Sequence, residues 1–300
     1  MFPIIITLFS CILIMGSNMA QSEPIFLRFG FYTKDLGKSK FSEMDESLKR
    51  WMETIKSKTT VTLLASAHLK STFYETKKSL TEGILSNKVD FMNFSTRDFY
   101  DLDLHENVIP MLAASKSKES KFEKYLLIAN KNSAVNDISK LRNAQIVIPS
   151  SFSSDLIKIW LRVILKNKSK RSDVVSVEIV ESDKKENETL FGIFFKKIEF
   201  AVVKEDSYLI ACEINPQIKR NTKVIVSSPG YINMFLARRK GLDPKIYKEV
   251  IKIGLNLDET IEGKQILNLM QMSKMHAVNL ADLKDTQTLI MQYEKLFRAK

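Results

Sequence analysis

The amino-acid sequence predicts an α/β protein of two lobes, each a mostly parallel sheet flanked by helices. Short β-branched and aromatic runs alternate with amphipathic stripes from Ile25 onward, an order that puts helices on the faces of a sheet. The same alternation begins again at Tyr125 in a new register. With 300 residues, 44% hydrophobic and only 9 Gly and 7 Pro, the chain is long enough for two cores and holds little linker or disordered bulk.

The elements follow in order. Ile25 to Tyr32 reads as the first strand. Leu48, Trp51, Met52 and Ile55 then share one helical face between Met44 and Lys56. A second strand is expected at Thr60 to Ala65, a helix at Thr76 to Leu85 and a third strand at Val89 to Phe94. The second round has strands at Tyr125 to Ala129, Ala144 to Ile148, Val174 to Val180 and Phe200 to Val203. A short helix at Asp137 to Leu141 and a longer one striped by Leu156, Ile159, Trp160, Val163 and Ile164 separate them. A strand at Val224 to Ser227 and helices through Tyr247 to Leu255 and Leu289 to Phe297 complete the chain. The expected division is 21–115 and 225–300 for lobe one and 116–224 for lobe two.

Net charge is +11, from 46 basic and 35 acidic residues. The lysines are spread along the chain. The densest stretch, Lys166 to Arg171, lacks interleaved aromatics on which bases would stack, so it reads as a solvated loop and no nucleic-acid partner is expected. Phe2 to Met15 is an apolar run followed by Gly16, Ser17 and Asn18, then Met19 and Ala20. It is shorter than the roughly 20 residues of a spanning helix and has the form of a leader cleaved after Ala20, residues 1–20. The expected location is therefore the periplasm, with membrane contact only through a partner or an uncleaved leader. Cys11 would leave with the leader, and Cys212 reads as a buried structural thiol.

Five signatures in sequence order carry a family resemblance, from about Leu27 to the C-terminus. They are Leu27 to Tyr32; Gly83 to Tyr100 with Val89-Asp90-Phe91; Tyr125 to Ser133 with Ile138 to Leu141; Ile146 to Ser154; and Lys197 to Val203, leading to Tyr208, Asn215 to Ile218 and Val224 to Pro229. The chain resembles the phosphonate/phosphate-binding family of ABC-transporter solute receptors. That likeness implies the two-lobed type II periplasmic-binding fold and capture of a small anionic solute for an ABC permease. A membrane sensor is the alternative partner. The chain departs from the family pattern at Asn143, where Gly is common, at Glu199, where Asp is usual, and at Glu186 to Thr189, where a His often stands.

The candidate site follows from the fold. Open α/β sheets bind ligands at the carboxyl ends of their strands. Ser150, Ser151, Ser153 and Ser154 stand between a strand ending at Pro149 and the next helix. Free N–H groups and serine hydroxyls at such a helix start suit an oxyanion, while a capping serine alone would also explain one of them. Ser95 and Thr96 follow the third strand, and Tyr32 ends the first. Glu199 is the candidate for a cationic ligand group, and Arg97 reads as surface. His68, His105 and His276 lack metal-ligand spacing, and nucleophile-elbow, P-loop, dinucleotide and zinc-protease motifs are missing from the sequence. No cofactor, metal or catalysis is expected.

Overall fold

The computed structural model describes residues 26–32, 67–149, 154–168, 177–269 and 272–297, with helical positions at 45–46, 49–50, 53 and 56. The strands are β1 (Phe26–Tyr32), β2 (His68–Tyr74), β3 (Phe91–Ser95), β4 (Val108–Ser115), β5 (Tyr125–Asn130), β6 (Ala144–Pro149), β7 (Val177–Ser182), β8 (Phe200–Lys204), β9 (Thr222–Ser227), β10 (Met234–Arg239) and β11 (Lys274–Ala277). The helices are α1 (Lys77–Leu85), α2 (Thr96–Asp101), α3 (Ser154–Lys168), α4 (Glu186–Phe194), α5 (Glu205–Ile214), α6 (Pro216–Asn221), α7 (Pro244–Leu255), α8 (Ile261–Leu269) and α9 (Lys284–Phe297).

Two sheets form, ordered β11-β4-β10-β3-β1-β2 and β7-β6-β8-β5-β9. In the first, β1 pairs in parallel with β2 and β3, and β10 runs antiparallel between β3 and β4. In the second, β6 pairs in parallel with β7 and β8, while β5 runs antiparallel between β8 and β9. The architecture is thus mixed α/β. Each sheet keeps a parallel trio, and the strands by which the chain crosses between sheets supply the antiparallel pairs.

The inner strands show why the sequence has few alternating runs. All six residues of β5 and all five of β8 are buried, because helices cover both faces. Tyr125, Leu127 and Ala129 meet α3 on one face, with Trp160 at the centre of that layer. Leu126 and Ile128 point the other way, onto α4, α5 and α6. Trp160 is only 1% exposed, and its truncation to Ala would cost about 3–5 kcal/mol.

The helices start where their caps are. Thr76 caps α1 by accepting from Ser79 N, Asn215 caps α6, and Asp243 with Pro244 opens α7.

Several elements were not legible as such. The expected strand at Thr60 to Ala65 and the apolar stripe Leu48, Trp51, Met52 and Ile55 lie outside the described residues. On the side of β1 away from β3 runs β2, an edge strand with polar positions. In β4 the interior Pro110 obscures a strand that forms nonetheless, because a register shift against Leu236 and Ala237 accommodates it. The last helix, grouped with lobe one by sequence, seats Leu289 in the core of the second sheet, and Arg162 on α3 donates to Tyr293 OH at 3.1 Å.

Candidate functional site

Both sheets direct their strand ends toward the segments that join them. In the first sheet β1 to β4 end at Tyr32, Tyr74, Ser95 and Ser115, on the edge where β10 begins with Met234. In the second, β6, β7, β8 and β9 end at Pro149, Ser182, Lys204 and Ser227, on the edge where β5 begins with Tyr125. The chain passes between these edges through 116–124 and 228–233. This is the carboxyl-end position at which open α/β sheets hold ligands, and helices α3, α4 and α5 all start there.

The two crossings pair with each other. Glu123 and Tyr231 exchange backbone hydrogen bonds of 2.8 Å in each direction, and Ser228 Oγ accepts from Tyr125 N at 2.8 Å. Gly230 allows the close approach, since a Cβ there would stand 2.8 Å from Phe122 Cβ. Burial, with the charge of Asp285 added, pushes the Tyr231 phenol well above its ordinary pKa. Its ring packs on Tyr125 as a neutral wall of the crossing.

A cluster of charges occupies the edge of the second sheet. Lys204, 7% exposed at the end of β8, donates to Glu123 Oε1 at 2.9 Å. Burial works against its ammonium, but Glu123, Glu186 and Asp206 outweigh burial and raise its pKa. Glu186, at the start of α4, accepts from Ser207 Oγ and from Lys116 Nζ, the latter at 3.5 Å. Lys116 directly follows β4, so this contact joins the first crossing to lobe two. Asp206 has its pKa raised by burial and by the nearby charges of Glu205 and Glu123.

The sequence-selected residues divide. Tyr32 is half-buried at the carboxyl end of β1, level with Tyr74, and packs against the Leu80 and Phe94 cluster. Ser95 caps α2 by accepting from Asp98 N at 3.0 Å, which leaves its O–H to donate. Thr96 is 1% exposed and its hydroxyl donates to Ile232 O in the second crossing. Its role is therefore to fasten the crossing, together with Thr286, whose Oγ1 accepts from Ile232 N at 3.1 Å. Ser150, Ser151 and Ser153 lie outside the described residues, and Ser154 begins α3.

Glu199 does not join this group. It is exposed and precedes β8, whose register sets Phe200 beside Ile146. That is the opposite end of β6 from Pro149, about 10–13 Å away along the strand. Asp90 is held by Arg28 and Arg239 at 2.7 and 3.2 Å at the far end of the first sheet.

The edge residues that sequence reasoning missed are Glu123, Glu186, Lys204 and Asp206. One signal for them existed. The apolar strand Phe200 to Val203 stops abruptly at Lys204-Glu205-Asp206-Ser207, at the carboxyl end where a ligand is expected. Catalytic readings find little support. Ser115 Oγ lies 2.9 Å from His276 Nε2, but both groups also contact the Ser117 carbonyl, which makes the trio a turn lock. Among the described residues, no three His, Cys, Asp or Glu side chains gather to hold a metal ion, and no helix is long and apolar enough to cross a membrane.

Comparison with known proteins gives this arrangement a context. Residues 40–283 match the family described as ABC transporter, phosphonate, periplasmic substrate-binding protein. A search of curated proteins by sequence finds no match. Among solved structures, the chain is similar to the binding-protein component of an ABC phosphonate transporter from Pseudomonas aeruginosa, at 16% identity over 91% of this chain and 88% of that one, with a TM-score of 0.53. It is also similar to PhnD1 from Prochlorococcus marinus in complex with methylphosphonate, at 14% identity over 91% and 99% of the two chains, with a TM-score of 0.56. XAC2383 from Xanthomonas citri, bound to ATP, shares 11% identity over 90% and 98%, with a TM-score of 0.59. At these identities the structural likeness establishes the fold.

Proposed function

As this chain belongs to the periplasmic substrate-binding proteins of ABC phosphonate transporters, we propose that it captures a small phosphorus oxyanion between its two strand-end edges and presents it to a membrane permease. The observation that carries the ligand class is the family match over residues 40–283, combined with a helix start after Pro149 whose preceding residues are serine-rich. Backbone N–H groups and hydroxyls hold an oxyanion without a full opposing charge. In this reading Ser150, Ser151, Ser153 and Ser154 supply lobe two's donors, and Ser95 and Tyr32 border the site from lobe one. Thr96 and Glu199 are left out, the first because its hydroxyl is committed to Ile232 and the second because it stands at the other end of the sheet.

The carboxylates around Lys204 refine the ligand. Glu186 and Asp206 outnumber the cation beside them once Glu123 has taken Lys204, so an amine on the oxyanion would find partners. The leader expected at residues 1–20 lies outside the described residues, and export to the periplasm is the location that accompanies this function.

The test is a thermal-shift and calorimetric screen against phosphate, methylphosphonate, aminoethylphosphonate and sulfate. A ligand at a hundred times its dissociation constant adds about 2.7 kcal/mol. A shift with one phosphorus oxyanion is expected, and no shift with any would overturn the ligand class. Replacing Ser151, Ser153 and Ser154 together by Ala is expected to weaken binding by about tenfold or more, from lost hydrogen bonds. Unchanged affinity would remove the serine turn from the site.

A further inference from the structure

Lys116 stands where lobe one reaches the acid edge of lobe two. It is the first residue after β4, and its Nζ lies 3.5 Å from Glu186 Oε2 at the start of α4. Burial raises the Asp206 pKa, and Lys116 is close enough for its charge to act against that rise. The register of β6 on β8 pairs Ile146 with Phe200, which sets Lys204 one residue past the level of Pro149. The charges around Lys204 are therefore one strand spacing, about 5 Å, from the serine-rich helix start.

The backbone that carries Lys116 is fastened on both sides. Ser115 is 2% exposed, and its carbonyl accepts from Ser273 N at 2.8 Å. Its hydroxyl donates to Ser117 O, while His276 Nε2 lies 2.9 Å from that hydroxyl and 3.2 Å from the same carbonyl. Ser117 Oγ in turn accepts from Glu119 N and Ser120 N, each at 3.1 Å. The Lys116 side chain reaches out from this braced turn and is 32% exposed.

Charge decides what that ammonium is for. Glu186 does not depend on it, since Glu186 also accepts from Ser207 Oγ and its charge acts on Lys204. An ion pair of 3.5 Å whose cation is one-third in water contributes little. The serine turn offers N–H and hydroxyl donors without a formal charge, and Glu123, Glu186 and Asp206 repel an incoming dianion. Lys204 is 7% exposed and donates to Glu123. Lys124 and Lys158 pair with Glu205 and Glu181. Lys116 is the cation whose present partner has other company. A charge-assisted hydrogen bond to an oxyanion is stronger than the loose pair it would give up.

We propose that Lys116 is a ligand-binding residue, whose ammonium leaves Glu186 on capture and donates to the oxyanion held at the serine turn. The role rests on capture of a phosphorus oxyanion at this edge. Lobe one, through the end of β4, then supplies the counter-charge that the serines lack. The lock of Ser115, Ser117 and His276 gains a purpose as well. It keeps the backbone still while one side chain changes partner, which makes His276 a positioning residue.

The experiment is calorimetry on the full chain with methylphosphonate and with phosphate, comparing the parent with K116Q, K116R, E186Q and H276Q. K116Q should weaken binding by about tenfold or more, and K116R, which keeps the charge, should restore most of it. Affinity of the parent should fall with added salt more steeply than that of K116Q. E186Q should tighten binding, because the carboxylate that competes for Lys116 is gone. H276Q should weaken binding less than K116Q and keep the parent's salt dependence. The ligand-free melting temperature of K116Q should match that of the parent, so that a folding defect does not enter the comparison. K116Q binding as tightly as the parent, or E186Q binding more weakly, would overturn the role of Lys116 and leave the oxyanion reading in place. A parent that binds neither anion would overturn both.

Discussion

Two buried ion clusters, made from similar residues, sit at opposite ends of the two sheets. At the far end of the first sheet, Asp90 receives Arg28 at both oxygens, each at 2.7 Å, and Arg239 at 3.2 Å. Three neighbouring strands, β1, β3 and β10, are tied by one carboxylate that is 3% exposed. The hydrogen bonds to Asp90 raise the Arg28 pKa against the pull of burial. At the strand-end edge of the second sheet, two cations, Lys204 and Lys116, meet three acids, Glu123, Glu186 and Asp206. The first cluster has a surplus of cations over its single acid and each arginine is fastened to strand backbone by position. The second has a surplus of acid, at the junction of α4, α5 and the first crossing. Burial of charge by itself is therefore no mark of a site. The two differ in their position relative to the strand ends and in the sign of the charge left over, and the second lies where ligand capture is proposed.

Four substitutions sharpen this contrast, from the largest effect to the smallest. Asp90→Ala leaves two arginines without their counter-charge and should destabilise by about 3–4 kcal/mol in denaturant unfolding, with ligand affinity of the folded fraction unchanged. A change in affinity would break the distinction between the clusters. Glu123→Gln should cost about 2 kcal/mol, less because Glu186 and Asp206 remain near Lys204, and it should alter ligand affinity as well. The pKa of Lys204 is raised in the fold. Its contribution is thus present below the ammonium's unfolded pKa and is lost as pH rises through the higher folded value. Alkaline unfolding of Glu123→Gln should accordingly depend less on pH than that of the parent.

Thr96→Val tests the fastening of the second crossing. Loss of the hydroxyl leaves Ile232 O with one donor fewer and should cost about 1–2 kcal/mol. Calorimetry that finds weaker ligand binding with full stability would return Thr96 to the site. Asp206→Asn is expected to have the smallest effect and the opposite sign. A carboxyl whose pKa is raised in the fold stabilises below its unfolded pKa and loses that contribution as pH climbs through the folded value. At neutral pH the charged form is the disfavoured one, so the amide should raise the melting temperature slightly, and the gain should vanish in acid.

The C-terminal helix shows how far local pattern reaches. Leu289, Ile290, Tyr293, Leu296 and Phe297 announce an amphipathic helix, and α9 spans Lys284–Phe297. The stripe says that a face is buried but not against what. Only the folded chain sets Leu289 into the core around Trp160, across the division that sequence order suggested. Likewise the serine run after Pro149 was visible as a helix start, whereas the acids near Lys204 come from a crossing segment and the starts of two helices. Separations of 81 residues between Glu123 and Lys204, and 70 between Lys116 and Glu186, leave no local spacing to recognise.

By itself the sequence determined the α/β class, the family and the position of most inner strands, because hydrophobic period and strand-ending turns are local properties of the backbone. It also determined that a serine-rich helix start follows Pro149. The tertiary structure decided strand direction beside the parallel trios, the partners of the last helix, and the assignment of Thr96 to the crossing and Glu199 to the far end. Those depend on which surfaces meet, and the free energy of a buried contact is set by neighbours distant in the chain rather than by the residues on either side.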